Sequence, residues 1–217
     1  MKKAILFGSI GTLIETSDIQ RESFNEAFKE TGLDWCWDEE DYKKLLKKSG
    51  GTKRIEDFAE KNNTEVDAKK IRERKTAIYN SKIQISKIEP REGVLEILEC
   101  AYVNQIKIGF VTTTTSNNIN SVFKFLNGKI TKKDFDFIGN QNMVKKLKSY
   151  PDIYLEELRI IKINTSECIA IEDSVESALS AHSAKIPCVS FPGKFHKDDD
   201  FSFCTKIMNK LDVTILN

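Results

Sequence analysis

The sequence predicts an α/β protein: a Rossmann-like parallel sheet core with an inserted α-helical cap. Three observations carry that expectation. Residues 4–7, Ala-Ile-Leu-Phe, are a short, wholly apolar run ending in Gly8, the mark of a parallel strand buried on both faces. Residues 17 to about 86 then read as helices with little strand propensity. From about residue 94 onward, helical and strand patterns alternate with short connections, which calls for right-handed parallel crossovers.

The elements follow in chain order. The turn after the first strand runs Gly8-Ser9-Ile10-Gly11-Thr12-Leu13 and lies at the strand end where open α/β sheets hold ligands. Residues 17–31 set Ile19, Phe24, Ala27 and Phe28 on one side of a helix that Gly32 ends. Asp38-Glu39-Glu40-Asp41 opens a second helix running through Lys48, with acids in its first turn and lysines in its last to complement the helix dipole. Gly50-Gly51 breaks it, and residues 52–61 and 66–81 give two more helices. Trp35-Cys36-Trp37 reads as packing between them. Pro90 and Gly93 bracket charged residues in a linker. The core is therefore expected to comprise 1–16 and 89–217, and the cap 17–88. Within the core, helices are expected at 94–102, 116–126, 151–161 and 174–184. Strands are expected at 107–111, 135–139 and 168–171, with a final core strand at 188–191.

With 217 residues, 40% hydrophobic and 31% charged, the chain suits a folded protein and not a disordered one. A net charge of +1 gives no global pull toward nucleic acid or an anionic membrane, so any anion site is local. No stretch approaches the roughly 20 apolar residues of a membrane span, and the first apolar run is too short for a signal peptide, so a cytoplasmic setting is expected. Cys36, Cys100, Cys168, Cys188 and Cys204 are odd in number and lack a CxxC pair; they read as free thiols in a reducing compartment. His182 and His196 form no catalytic pair.

Three other strand ends carry polar residues. Val111 runs into Thr112-Thr113-Thr114-Thr115-Ser116 ahead of a helix, where hydroxyls and free amides either cradle a phosphate or cap the helix. Lys148 precedes Tyr150-Pro151-Asp152, a helix start. Ile171 runs into Glu172-Asp173-Ser174; these acids either open the next helix or need a cation nearby. In the helical segment, Gly50-Gly51-Thr52-Lys53-Arg54 is a glycine turn leading into two cations. It is not a P-loop; it either joins two helices or holds a second anion.

Together these elements resemble the haloacid dehalogenase-like hydrolases that carry a helical cap after the first strand. Phe7 to Leu13 stands at the family's Asp-x-Asp-Gly-Thr turn, Thr112 at its second motif, Lys148 at its third and Glu172-Asp173-Ser174 at its acidic fourth. Glu15-Thr16, Gln20-Arg21, Phe24-Asn25, residues 34–38 and residues 50–55 resemble the CbbY type, whose members dephosphorylate xylulose 1,5-bisphosphate. The chain is also similar to β-phosphoglucomutases and phosphoglycolate phosphatases. The resemblance implies a small phosphorylated metabolite as partner, with its phosphate held by Thr112, Thr113 and Lys148. It implies substrate or cap contacts from Glu15, Gln20, Arg21, Gly50, Gly51, Lys53 and Arg54, and Mg²⁺ held with help from Glu172 and Asp173.

The first turn departs from that pattern at its two chemical positions. In the family, the first aspartate attacks phosphorus, and the second protonates the leaving oxygen and then activates water. Those places hold Gly8 and Ile10, which can do neither. Deleting the nucleophile of a covalent hydrolase costs on the order of 10⁶ in turnover. Ser9 is expected to point elsewhere, because strand side chains alternate, and Glu15 lies past the turn. Gln20 stands where a cap histidine is common, Ser149 where a proline follows the motif lysine, and Lys185 where a glycine follows the fourth motif. With two carboxylates gone, the pocket is expected to hold Mg²⁺ weakly or not at all while still accepting an anion. Three functions compete: a catalytically degenerate phosphosugar-binding or regulatory protein, a Mg²⁺-dependent phosphatase with a non-standard nucleophile, and an interaction protein with a vestigial pocket.

Overall fold

The structure is a computed structural model that describes every residue except Ser9, Lys48 and Ser49. The expectation for the Ser9 side chain and the end of the second helix at Lys48 lie outside the described residues. Contacts divide the chain into two units, Met1–Glu15 with Ile88–Asn217, and Thr16–Lys87.

The first unit begins with β1 (Ala4–Phe7), whose four residues are fully buried. A short helix, α1 (Ile10–Leu13), follows where the sequence predicts a plain turn. The second unit holds α2 (Ser17–Glu30), α3 (Glu39–Leu46), α4 (Gly51–Lys61) and α5 (Ala68–Ile85). Asp38 caps α3 by accepting the Asp41 N–H, and Asp67 caps α5 by accepting the Lys70 N–H. Trp37 is completely buried among Phe24, Phe28, Tyr42 and Phe58, with ring centroids 4.7–6.2 Å apart. Trp35 lies edge-on to Phe28 and Phe58. This aromatic cluster is the core of the helical unit.

The chain returns to the first unit through α6 (Val94–Val103), β2 (Lys107–Phe110), α7 (Ser116–Phe125), β3 (Phe137–Ile138), α8 (Asp152–Ile161), β4 (Cys168–Glu172), α9 (Val175–Ser183), β5 (Cys188–Ser190) and β6 (Lys206–Ile207). Among the described residues all strand pairings within the sheet are parallel, in the order β3-β2-β1-β4-β5-β6, and an isolated antiparallel bridge joins Ile14 to Pro90. Phe7 lies opposite both Phe110 and Ile171, so β2, β1 and β4 end level and their following turns share one edge. Side chains alternate between two apolar clusters. Ile5, Phe7, Ile108, Phe110, Ile169 and Ile171 fill one, and Ala4, Leu6, Cys168 and Ala170 fill the other.

Two further details differ from the sequence expectation, and a third bears on the family resemblance. A sixth strand, β6, extends the sheet beyond 188–191; its two residues are exposed, so no apolar run announces it. β3 is shorter than 135–139, because the Asp136 carboxylate takes the Ile108 N–H (2.9 Å) that a ladder partner would. Lys185, where the family resemblance placed a glycine, adopts φ +60°, a left-handed conformation that costs a lysine more than a glycine. Among the described residues no helix is long and apolar enough to cross a membrane.

Candidate functional site

The level ends of β1, β2 and β4 bring Gly8, Thr112 and Glu172 to one edge of the sheet. Gly8 continues the ladder, its N–H donating to the Ile171 carbonyl at 2.9 Å. One step beyond the Phe7–Ile171 pair, Gly8 and Glu172 are therefore neighbours on the same sheet face. A Cβ built on Gly8 would overlap the Glu172 carboxyl group. The space a side chain at position 8 would occupy is filled by Glu172.

That carboxyl group is fully buried. Its Oε1 accepts from Lys148 Nζ at 2.5 Å and from the Tyr154 hydroxyl at 2.6 Å. Lys148 Nζ also donates to the Gly8 carbonyl at 2.6 Å and lies 5.0 Å from the Tyr154 ring centroid. Burial pushes the Glu172 carboxyl up to about 7, against the pull of the Lys148 ammonium, and burial holds the Tyr154 hydroxyl well above its ordinary value. Glu172 Oε2 is buried and has no hydrogen-bond partner among the described residues. The next residue, Asp173, sets its carboxylate against Gly11.

The threonine run divides its work. Thr115 is the N-cap of α7, accepting the Asn118 N–H at 3.2 Å. Thr112 is buried and accepts the Thr114 N–H at 3.2 Å; Thr113 accepts the Lys148 N–H at 3.5 Å. Thr113 thus ties the loop carrying Lys148 to the end of β2. Glu15 accepts the Lys194 N–H at 2.7 Å. Arg91 reaches the Gly11 and Phe191 carbonyls at 2.7 and 2.8 Å and the Pro192 carbonyl at 2.7 Å, joining the turns after β1 and β5.

In the helical unit, Gln20 accepts from Lys75 Nζ at 3.0 Å, and Arg21 donates to the Trp37 carbonyl at 3.2 Å. Arg54 donates to the Leu45 carbonyl at 2.8 Å and lies over the Tyr42 ring. Lys53 points into an exposed ion pair with Asp57 at 2.7 Å. Gly50 is the N-cap of α4, and a side chain on Gly51 would strike the Arg72 guanidinium. The cations packed near this glycine turn thus include Arg72 and Lys75 from α5, which sequence reasoning missed. Lys75 is 2% exposed and sits over the faces of Phe24 and Tyr79. Burial, with Arg72 and Arg54 adding repulsion, drives its pKa well below the ordinary lysine value.

Tyr154, Arg91 and Glu157 were also missed. Glu157 is fully buried on α8, neither carboxyl oxygen having a hydrogen-bond partner among the described residues, in room left by the absent side chain of Gly109. Burial holds it well above the usual carboxylate range. A glycine inside an otherwise apolar strand signals such a close approach.

The Mg²⁺ that the resemblance implies meets an unsuitable donor set. Mg²⁺ is usually held octahedrally by one or two carboxylates plus water and substrate phosphate. Here Glu172 Oε1 already accepts from an ammonium and a phenol, and the same ammonium occupies the Gly8 carbonyl. Glu172 Oε2 takes part in neither of these bonds, but the Lys148 ammonium on the same carboxyl group opposes a divalent cation there.

A family profile described as haloacid dehalogenase-like hydrolase matches residues 5–191. The chain is 33% identical to Protein CbbY of Rhodobacter capsulatus over 203 residues, covering 92% of this chain and 89% of that protein. The crystal structure of CbbY from Rhodobacter sphaeroides in complex with phosphate superposes with a TM-score of 0.84 at 30% identity, covering 97% of this chain and 95% of that one. A variant of the same protein has been solved with xylulose-(1,5)bisphosphate, again with a TM-score of 0.84. β-Phosphoglucomutase from Clostridium difficile shares the fold, with a TM-score of 0.75 at 21% identity. The chain belongs to the haloacid dehalogenase-like hydrolases, among relatives of the CbbY type.

Proposed function

We propose that this protein binds a phosphorylated sugar on a CbbY-type phosphatase fold from which the hydrolytic chemistry has been lost, and that it acts in the cytoplasm as a binding or regulatory protein. One observation carries the reading: the Glu172 carboxyl group, held by Lys148 and Tyr154, fills the place beside Gly8 where the family's nucleophile would stand. Ile10 supplies no proton-transfer group. The neighbouring CbbY crystallised with xylulose-(1,5)bisphosphate gives the ligand class: a small sugar carrying phosphate groups. Thr112, Thr113 and Lys148 would meet one phosphate, and Arg54, Arg72 and Lys75 supply cationic character in the helical unit. Phosphatases of this family generally use Mg²⁺; here Lys148 takes over part of the charge balance, and anion binding is expected without the metal.

The test is a thermal-shift and phosphate-release screen with sugar phosphates and bisphosphates, with and without Mg²⁺. Stabilisation without phosphate release is the expected result, because a ligand that binds the native state raises its stability. Turnover that disappears in Lys148→Ala overturns the reading. A second reading, a phosphatase with a non-standard nucleophile, has one observation in its favour: Glu172 Oε2, a carboxyl oxygen beside Gly8, has no hydrogen-bond partner among the described residues. Turnover abolished by Glu172→Gln would establish it. Failure of every phosphate to stabilise the protein would leave an interaction protein with a vestigial pocket.

A further inference from the structure

We propose that Cys188 and Cys204 form an oxidisable dithiol, a modification site that a peroxide closes to a disulfide between β5 and the segment entering β6. The inference is independent of whether the phosphate site is catalytic.

The Cys188 thiol donates to the Val189 carbonyl at 3.7 Å, and the two thiols are close enough to shift each other's titration. Backbone geometry fixes their proximity: the Thr205 N–H and hydroxyl both donate to the Cys188 carbonyl at 2.8 Å, and the β5–β6 ladder continues with Val189 opposite Lys206. Cys204 therefore lies one residue off the partner of Cys188. Adjacent strands run about 4.8 Å apart, and a disulfide spans Cα atoms about 4.4–6.8 Å apart, so a diagonal neighbour is within reach. Both side chains pack in the same apolar cluster, Cys188 buried and Cys204 partly buried at its edge.

Their environments assign different roles. The neighbouring Cys204 and then burial hold the Cys188 thiol above its ordinary value, whereas the neighbouring Cys188 lowers Cys204, which is the more exposed of the two. The thiolate is the reactive form. Its sulfur attacks one peroxide oxygen, the O–O bond breaks, and the departing hydroxide takes up a proton as water, leaving Cys204 as a sulfenic acid. Cys188 then attacks the Cys204 sulfur. An S–S bond forms, the S–O bond breaks, and the second oxygen leaves as water with the Cys188 proton. Two thiols lose two electrons in all, and one peroxide becomes two waters. Of the other cysteines, Cys168 shares the same apolar cluster on the neighbouring strand β4, but it is buried, with burial pushing its thiol up to about 12; Cys36 is exposed in the helical unit, and Cys100 sits on α6.

The test treats the reduced, folded full-length protein with stoichiometric hydrogen peroxide, then alkylates, digests and analyses it by mass spectrometry. The expected product is a linked Cys188–Cys204 peptide pair lighter by two hydrogens, restored to two alkylatable thiols by dithiothreitol. Cys204→Ser should abolish the link and leave Cys188 alkylatable. Cys188→Ala should leave a sulfenic acid at Cys204 that dimedone traps. Wild-type protein in which both thiols stay fully alkylatable, in which Cys204 advances to sulfinic acid beside a free Cys188, or in which either thiol links to Cys36 or Cys100, overturns the proposal. The wild-type and Cys204→Ser results decide it even if Cys188→Ala fails to fold.

Discussion

Two buried lysines are treated in opposite ways. Lys148, with 7% of its side chain exposed, is matched to the Glu172 carboxyl group and the Gly8 carbonyl; its charge is answered from within the chain. Lys75 is met by the Gln20 amide oxygen and the faces of Phe24 and Tyr79, and the charged groups acting on it are Arg72 and Arg54. A buried charge without a counter-ion is held at a cost of several kcal/mol. An incoming anion at Lys148 must compete with Glu172. The contrast separates a lysine answered by a carboxyl group from a buried lysine whose neighbours among the described residues are an amide, two aromatic faces and two arginines.

The contrast is broken most strongly at Lys148. Lys148→Ala leaves Glu172 buried without its cation and should cost about 3–5 kcal/mol in urea unfolding, with much of the loss recovered in Lys148→Ala/Glu172→Gln. A loss confined to a few tenths of a kcal/mol would mean that the pair is not the buried ion pair described.

Lys75→Met should act in the other direction, stabilising the fold by about 1–4 kcal/mol near neutral pH in urea unfolding. Its pH signature has a definite sign. A lysine whose folded pKa is depressed binds fewer protons folded than unfolded, so stability rises with pH from the folded value up to the ordinary value of about 10.4. That rise should be present in the wild type and missing in Lys75→Met.

Glu157 gives a smaller effect of opposite slope. Its folded pKa is raised, so its contribution is intact below about pH 4.3 and is lost as pH climbs through the folded value. Glu157→Gln should flatten that decline in denaturant midpoints measured across pH. An unchanged slope would place the acid in contact with solvent. Smallest of all, Lys53→Ala should leave both stability and ligand binding unchanged, since Lys53 is spent on an exposed pair with Asp57. A loss of affinity there would return Lys53 to the substrate contacts that the sequence resemblance implied.

What was legible in the sequence follows from how each group is buried. β1, β2, β4 and β5 lie in the sheet interior, and their apolar runs announce them; β6 is two exposed residues and α1 contains Gly11, so neither pattern stands out. Thr112, Glu172 and Asp173 could be picked out because polar residues directly after buried strands are conspicuous, whereas Lys148, a lysine before a helix start, was singled out by the family resemblance. Tyr154 and Glu157 lie on the inner face of α8, where a tyrosine reads as core and a glutamate as an ordinary helix former. Arg72 and Lys75 were hidden in a run with Lys69, Lys70 and Arg74, which resembles a solvated face. The position of Glu172 in the space beside Gly8 depends on the β1–β4 register, which only the fold supplies.

The central claim, that the site binds a phosphosugar but does not hydrolyse it, is tested most directly by phosphorus NMR of xylulose 1,5-bisphosphate mixed with the protein in the presence of Mg²⁺. The account predicts that the ligand's phosphorus resonances shift or broaden on binding and that no inorganic phosphate signal grows in. A growing inorganic phosphate signal that vanishes with Lys148→Ala would contradict it.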